Sequence, residues 1–174
     1  MSLPHLTTTR LKLRALSDQD APQIHELRAD PDIASLLGRP VSGGIEDALA
    51  HIDRIRKAEQ SWYWAITLKD DDTLIGTICY WNLEPEIKKA ELGYELLPTH
   101  HRKGFITEAI REVLRFGFHE MGTDIITALP SVNNKPSIAV LEQLGFYVDE
   151  NFAPTDEDEA LLIPFVLRKA DYEG

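Results

Sequence analysis

Pro98-Thr-His-His-Arg-Lys-Gly-Phe-Ile-Thr-Glu-Ala109 joins two elements of different kind. Before it, Lys88–Leu97 reads as a strand that closes at Pro98. After it, Gly104–Gly122 carries Ile106, Ile110, Val113, Leu114, Gly117 and Phe118 on one stripe, the clearest amphipathic helix in the chain. A strand, a short basic loop and a helix start therefore follow one another. A helix N-terminus presents up to four unpaired N–H groups and about half a positive charge. Gly104 lets a ligand approach the backbone closely. Arg102 and Lys103 add charge, with His100 and His101 as further titratable groups. In physical terms this is a cradle for a pyrophosphate. The same residues also describe an ordinary helix start with solvated charges, and spacing alone leaves both readings open.

Outward from this loop, hairpins come first and helix crossovers second. Thr9–Arg14 alternates at period 2 and predicts a strand. Ser17-Asp-Gln-Asp20 predicts a helix start; that helix ends before Pro31, and a short helical piece follows at Asp32–Leu37. Gly38–Gly44 is a loop, and Ile45–Gln60 an amphipathic helix through Ile45, Leu49, Ile52 and Ile55. Strands are predicted at Trp62–Leu68, Leu74–Leu83, Ile125–Leu129, Phe146–Val148 and Leu161–Leu167, and a further helix at Lys135–Leu144. The order predicts one α/β (α+β) domain over residues 1–174 with a mixed sheet of about seven strands and four helices. Residues 1–3 and 173–174 carry no weight in it.

The charge balance, 18 Lys and Arg against 29 Asp and Glu, gives −11 and a pI near 4.9. That disfavours nucleic acid and anionic membrane as partners, because polyanions attract basic faces. No apolar run approaches the ~18 residues of a membrane span, and no secretory segment opens the chain. Cys79 is the only cysteine, which excludes an internal disulfide and makes a cytoplasmic setting the expectation. His5, His25, His51 and His119 show no ligand spacing, so no metal is expected.

A second motif follows the strand at 125: Val132-Asn-Asn-Lys-Pro-Ser-Ile-Ala-Val-Leu-Glu-Gln-Leu-Gly-Phe146. Asn134 can cap the helix, and Ser137 sits in its first turn. The pair His101-Arg-Lys-Gly-Phe-Ile-Thr-Glu-Ala109 and Asn134-x-x-Ser-x-x-Val-Leu-Glu-x-Leu-Gly-Phe146 resembles the GNAT acetyltransferase superfamily, and within it the RimJ/RimL-type branch. Thr8-x-Arg-Leu-x-Leu-Arg14, Ile75-Gly-Thr-Ile78 and Ala90-Glu-Leu-Gly-Tyr-Glu-Leu-Leu-Pro98 are similar to family segments in the same order, so the resemblance spans about Thr7 to Asp149. It implies a V-split central sheet with acetyl-CoA between the parted strands. It places the pyrophosphate on the backbone N–H groups of Arg102, Lys103, Gly104, Phe105, Ile106 and Thr107. It pairs the pantetheine arm with the strand through Tyr94, Leu96 and Leu97, and brings Asn134 to the pantetheine or the cap. His101 and Ile106 depart from the general Gln/Arg-x-x-Gly-x-Gly/Ala loop. Leu141 fills the slot that many members give to a tyrosine general acid, and an aliphatic side chain cannot donate a proton.

Acetyl transfer to an amine requires a neutral amine, a polarised thioester carbonyl and a stabilised thiolate. Glu91 is the candidate base, or else an exposed strand Glu paired with Lys88 or Lys89. Ser137 is the candidate donor to the thiolate, or else a helix first-turn hydroxyl. A backbone N–H of Gly93–Leu97 would polarise the carbonyl. The expected reaction is direct acetylation of a primary amine, a protein N-terminus or a small polyamine- or aminoglycoside-like molecule; a non-catalytic CoA-binding module is the rival of a different class. Leu36–Ile45, Trp81–Glu86 and Asn151–Ala160 are the segments expected to shape the acceptor site. Asp149–Glu159, with six acids, reads as a solvated loop or as an attractor of a cationic amine. Trp62, Trp64, Tyr80 and Trp81 read as packing, and Cys79 as a small buried residue. A homodimer is the commonest closed assembly, and the sequence neither demands nor forbids one.

Overall fold

Leu11 and Leu13 are fully buried while Lys12 and Arg14 between and after them keep partial exposure, as period-2 alternation dictates. The computed structural model describes residues 2–36, 39–59, 61–155 and 161–173. These hold β1 (Leu6–Thr7), β2 (Leu11–Arg14), α1 (Ala21–Ala29), α2 (Pro31–Leu36), α3 (Ile45–Lys57), β3 (Trp62–Leu68), β4 (Asp71–Glu84), β5 (Lys89–Leu96), α4 (Phe105–His119), β6 (Ile125–Ala128), α5 (Lys135–Gln143), β7 (Tyr147–Val148), β8 (Phe165–Arg168) and α6 (Lys169–Glu173). The strand order is β1-β2-β3-β4-β5-β6-β8-β7. The β5–β6 pair is parallel, and α4 supplies the crossover that parallel neighbours need. The mixed α/β class is as expected. Eight strands and six helices among the described residues exceed the expected seven and four: β1 and α6 are too short to leave a clear periodic signal, and α2 is the short helical piece expected at Asp32–Leu37.

Two compact units are distinguishable: Met1–Tyr80 with Gly93–Val113, and Trp81–Leu92 with Leu114–Gly174. In the first, Leu16, Ile24 and Leu27 around α1, and Ala48 and Ile52 of α3, bury against Ala65, Leu74 and Leu97 of the sheet. The start of α1 is fixed by one carboxylate. Asp20 accepts both Nη groups of Arg14, at 2.8 and 2.9 Å, and the Ser17 N–H at 2.8 Å. Trp64 and Tyr80 are buried, with Trp62 stacked on Trp64. Ile75-Gly-Thr-Ile78 sits where β4 meets β5: a Cβ on Gly76 would lie 2.4 Å from the Glu95 carbonyl oxygen.

In the second unit, Tyr172 of α6 packs on Phe118 at 4.9 Å between ring centroids. Trp81 is 54% exposed, so the packing expectation fails there; Tyr80 points inward, its neighbour must point out, and Asn82 at φ +44° then breaks the alternation. Cys79 is half-buried rather than buried. The last strand begins at Phe165 instead of Leu161, since Pro164 has no N–H for the ladder; Leu161–Ile163 pair irregularly with Pro130–Val132. Residues 156–160 of the acidic run lie outside the described residues, as do Leu37, Gly38 and Gln60. No helix of the described residues is long and apolar enough to cross a membrane.

Candidate active site

The loop after β5 is built from the backbone upward. Pro98–His100 makes one tight turn, and the His101 ring donates from Nε2 to the Leu96 carbonyl at 2.7 Å, tying the loop to the strand it left. Arg102 then takes φ +60° and Gly104 φ +78°. A non-glycine residue in the left-handed region is uncommon, and such residues gather at binding sites. Left-handed residues interleaved with ordinary ones curl successive N–H groups into an anion-binding concavity. Among the described residues no backbone carbonyl accepts from the N–H of Arg102, Lys103, Gly104, Phe105, Ile106 or Thr107. Burial, then Lys103, push the His100 imidazole below its ordinary value.

Three side chains outside the loop hold it. Arg10 donates from Nη1 to the Lys103 carbonyl at 2.9 Å and from Nε to Glu108 at 2.7 Å, and its guanidinium lies 4.5 Å from the centre of the Phe105 ring. Glu108, in the first turn of α4, also accepts from the Arg10 N–H at 2.8 Å and from the Thr8 hydroxyl. Burial would raise the Glu108 carboxyl, but these hydrogen bonds outweigh it and hold it below the usual range. The tether is therefore intact above the ordinary carboxylate pKa and is lost as pH falls through the lowered one. Neither Arg10 nor Glu108 was assigned a role from sequence; the signal was Thr8-x-Arg-Leu-x-Leu-Arg14, whose two arginines hold the loop and Asp20. Arg10→Met removes the fork and keeps the stem. It is expected to raise the KM for acetyl-CoA about tenfold, the scale of one hydrogen bond to a charged group. Steady-state kinetics that leave this KM within about twofold would contradict the assignment.

Glu91 lies on β5 and is 6% exposed. The Asn82 side-chain amide donates to its Oε2 at 2.8 Å. The two lysines that might have paired with it are engaged elsewhere, Lys88 with Asp124 at 3.3 Å and Lys89 with Glu84. Glu91 is thus a buried carboxylate that accepts from an amide, where an exposed strand residue was the alternative. Asn82, nine residues earlier across the β4–β5 turn, left no sequence signal. Further along β5, Leu96 and Leu97 turn their side chains into the core, and the Leu97 N–H donates to the Ile75 carbonyl at 2.8 Å. Tyr94 is partly exposed. On α5, the Asn134 side chain accepts the Ser137 N–H at 3.3 Å and caps the helix, and Ser137 is partly exposed in its first turn. Leu141 is fully buried. Tyr94, Leu96, Leu97 and the Arg102–Thr107 loop belong to the first unit; Glu91, Asn134 and Ser137 belong to the second, with Glu91 joined to Tyr94 along one strand. Among the described residues no three His, Cys, Asp or Glu side chains gather as metal ligands.

Residues 10–147 match the family model of the acetyltransferase (GNAT) domain. The chain belongs to the GNAT acetyltransferase family. It is 32% identical over 164 residues to the "Uncharacterized N-acetyltransferase YoaA" of Bacillus subtilis (strain 168), an alignment covering 88% of this chain and 93% of that protein. Among solved structures, a GNAT-family acetyltransferase from Bacillus anthracis superposes with a TM-score of 0.82 at 22% identity, over 96% of this chain and 99% of that one. A spermidine N-acetyltransferase from Vibrio cholerae, crystallised with CoA and spermine, gives 0.82 at 18% identity over 96% and 100%. These two share the GNAT fold, with its mixed α/β sheet. The family makes the chain an N-acetyltransferase, and the site residues above are read in that light.

Proposed function

We propose that this GNAT protein binds acetyl-CoA on the Arg102–Thr107 loop and transfers the acetyl group directly to a primary amine. The observation that carries the reading is the run of unaccepted N–H groups with left-handed Arg102 and Gly104 at the start of α4. An array of donors beside a helix N-terminus matches a pyrophosphate and has no other evident use. A Cβ at residue 104 would be strained at φ +78° and would meet the Arg10 guanidinium at 3.3 Å, so the site needs glycine.

The chemistry falls to two side chains. A primary amine with pKa near 10 is mostly protonated at neutral pH and cannot attack. The Glu91 carboxylate accepts that proton. The freed amine nitrogen attacks the thioester carbonyl, whose oxygen a backbone N–H of β5 stabilises, and the carbon–sulfur bond breaks. As the amide forms, the nitrogen sheds its second proton to the Ser137 oxygen while the Ser137 hydroxyl proton passes to the departing thiolate, so Ser137 ends unchanged, the thiol leaves neutral and Glu91 returns its proton to water. The RimJ/RimL-type motifs favour a protein N-terminal amine. The fold shared with a spermidine N-acetyltransferase keeps a small amine as the second reading. Mass spectrometry after incubation with acetyl-CoA and a mixture of spermidine, glycinamide and short peptides tests the proposal. An N-acetylated product is expected, and tight CoA binding with no product from any amine would contradict it.

A further inference from the structure

The face of the sheet under α1 and α3 carries a charge cluster that the transfer chemistry does not use. Glu95 of β5 is forked by Arg39, at 2.6 Å to Oε2 and 3.1 Å to Oε1, and Arg39 also donates to the Leu27 carbonyl at 3.0 Å. The Thr77 hydroxyl stands 3.4 Å from Glu95, and Tyr63 donates to Thr77 at 3.3 Å. His51 of α3 lies edge-on to Tyr63 at 6.1 Å between centroids, and Arg54 donates to its Nδ1 at 2.8 Å. Arg28 of α1 lies within electrostatic reach of Arg39, Glu95, Tyr63 and Arg54. The cluster thus contains three arginines and one carboxylate.

It is short of acceptors. Arginine only donates, so the bond from Arg54 makes His51 Nδ1 an acceptor and puts the ring proton on Nε2. That Nε2–H is buried without a partner, and so is the Nε–H of Arg39. The Arg28 guanidinium is half-buried and makes no ion pair or hydrogen bond among the described residues. Burial, then Arg39, hold it below the ordinary arginine value, and burial with the three arginines lowers His51 to about 4, so His51 is neutral at pH 7. Arg39 is forked by Glu95 and Arg54 is exposed, so Arg28 is the half-buried cation left without an anion, a cost that an incoming anion relieves. Glu95 lies within Gly93–Leu97, the segment whose backbone N–H would polarise the thioester carbonyl, about 7 Å along the extended strand from Gly93.

We propose that Arg28 and the Arg39–Arg54 cluster receive a carboxylate of the acceptor, so that the amine acetylated by this enzyme belongs to a molecule with an acidic group close to that amine. The acidic run Asp149–Glu159 offered one attractor for a cationic amine; the charge beside β5 has the opposite sign. The inference rests on the amine-acetylation reading above. Two carboxylates fit: the α-carboxylate of a free amino acid and the acidic side chain of a peptide's first residue.

The test compares matched pairs: glycine with glycinamide, and Glu-Ala-Ala with Gln-Ala-Ala, with spermidine alongside. For at least one pair, wild-type kcat/KM is expected to favour the acidic member about tenfold or more, and the pair that discriminates identifies the carboxylate. Arg28→Gln is expected to bring that ratio close to one with an unchanged melting temperature, since Arg28 makes no bond that folding needs. Lys57→Gln, which removes a charge from the same α3 helix at its pair with Asp53, keeps the ratio. Calorimetric titration of each pair into the CoA-bound protein separates two failures. Transfer to neutral amines and spermidine with no acidic preference overturns the carboxylate inference and leaves amine acetylation standing. Selective binding of an acidic member with no transfer to any amine overturns the acetylation reading and leaves the carboxylate site standing.

Discussion

Glu91→Gln is expected to lower kcat by about two to four orders of magnitude, the range that a positioned general base contributes. The substitution is nearly isosteric. Its amide oxygen still accepts from Asn82, now at 2.8 Å from the carboxylate, so the strand keeps its position. The donor loop is untouched, and the affinity for acetyl-CoA is expected to stay near the wild-type value. The pH dependence identifies the role. With Glu91 present, the proton leaves the amine inside the site. Without it, the amine must arrive neutral, so the deficit shrinks as pH rises towards the amine's own pKa. A structural role for Glu91 would lower the rate equally at every pH. A kcat within about threefold of wild type at neutral pH would remove Glu91 from the mechanism.

The second large effect is on stability. Gly76→Ala is expected to lower stability by about 3 kcal/mol or more, the upper end of the cost of forcing extra atoms into a packed interior. The added Cβ would come 2.4 Å from the Glu95 carbonyl oxygen, 2.8 Å from Leu96 Cδ1 and 3.0 Å from Leu96 Cα. Two of these three atoms are backbone, and backbone cannot swing aside as a side chain does. Relief requires β4 and β5 to separate, at the cost of the Leu97 N–H bond to Ile75. For a chain of this length the melting temperature would fall by about 6–12 °C. Acetyl transfer should suffer as well, because the displaced strand carries Tyr94 and Glu95. A thermal midpoint within about 1 °C of wild type would show that the strands yield without loss.

Elements with strong periodicity were legible in the sequence. Trp62–Leu68 has the predicted bounds, and α4 differs from its prediction only at its ends, Phe105–His119 within Gly104–Gly122. Two short elements were not legible: β1 has two residues and α6 five, at most about one and a half periods of their patterns, whereas β7 and α2 were marked by the turn and breaker residues beside them. The loop's turn into α4 could be read because glycine and a helix start are local signals. The residues that hold it could not. Arg10 and Glu108 are 98 positions apart, and nothing local in either says that they meet. Asn82 and Glu91 are nearer in sequence, yet their bond depends on the left-handed turn at Asn82, which no glycine advertises. Net charge says least about the site. A value of −11 averages over the surface and hides three arginines gathered around Glu95.

Direct attack of an amine on acetyl-CoA is the central claim, and the dependence of thiol release on amine tests it most directly. Free thiol is followed from the moment wild-type protein meets acetyl-CoA, with and without amine, and the intact mass of the protein is measured at each stage. The account predicts no release without amine, continuous release with it, an equal amount of N-acetylated amine, and protein of unchanged mass. A burst of thiol equal to the protein concentration in the absence of amine, with the acetyl group found on the protein, would contradict it.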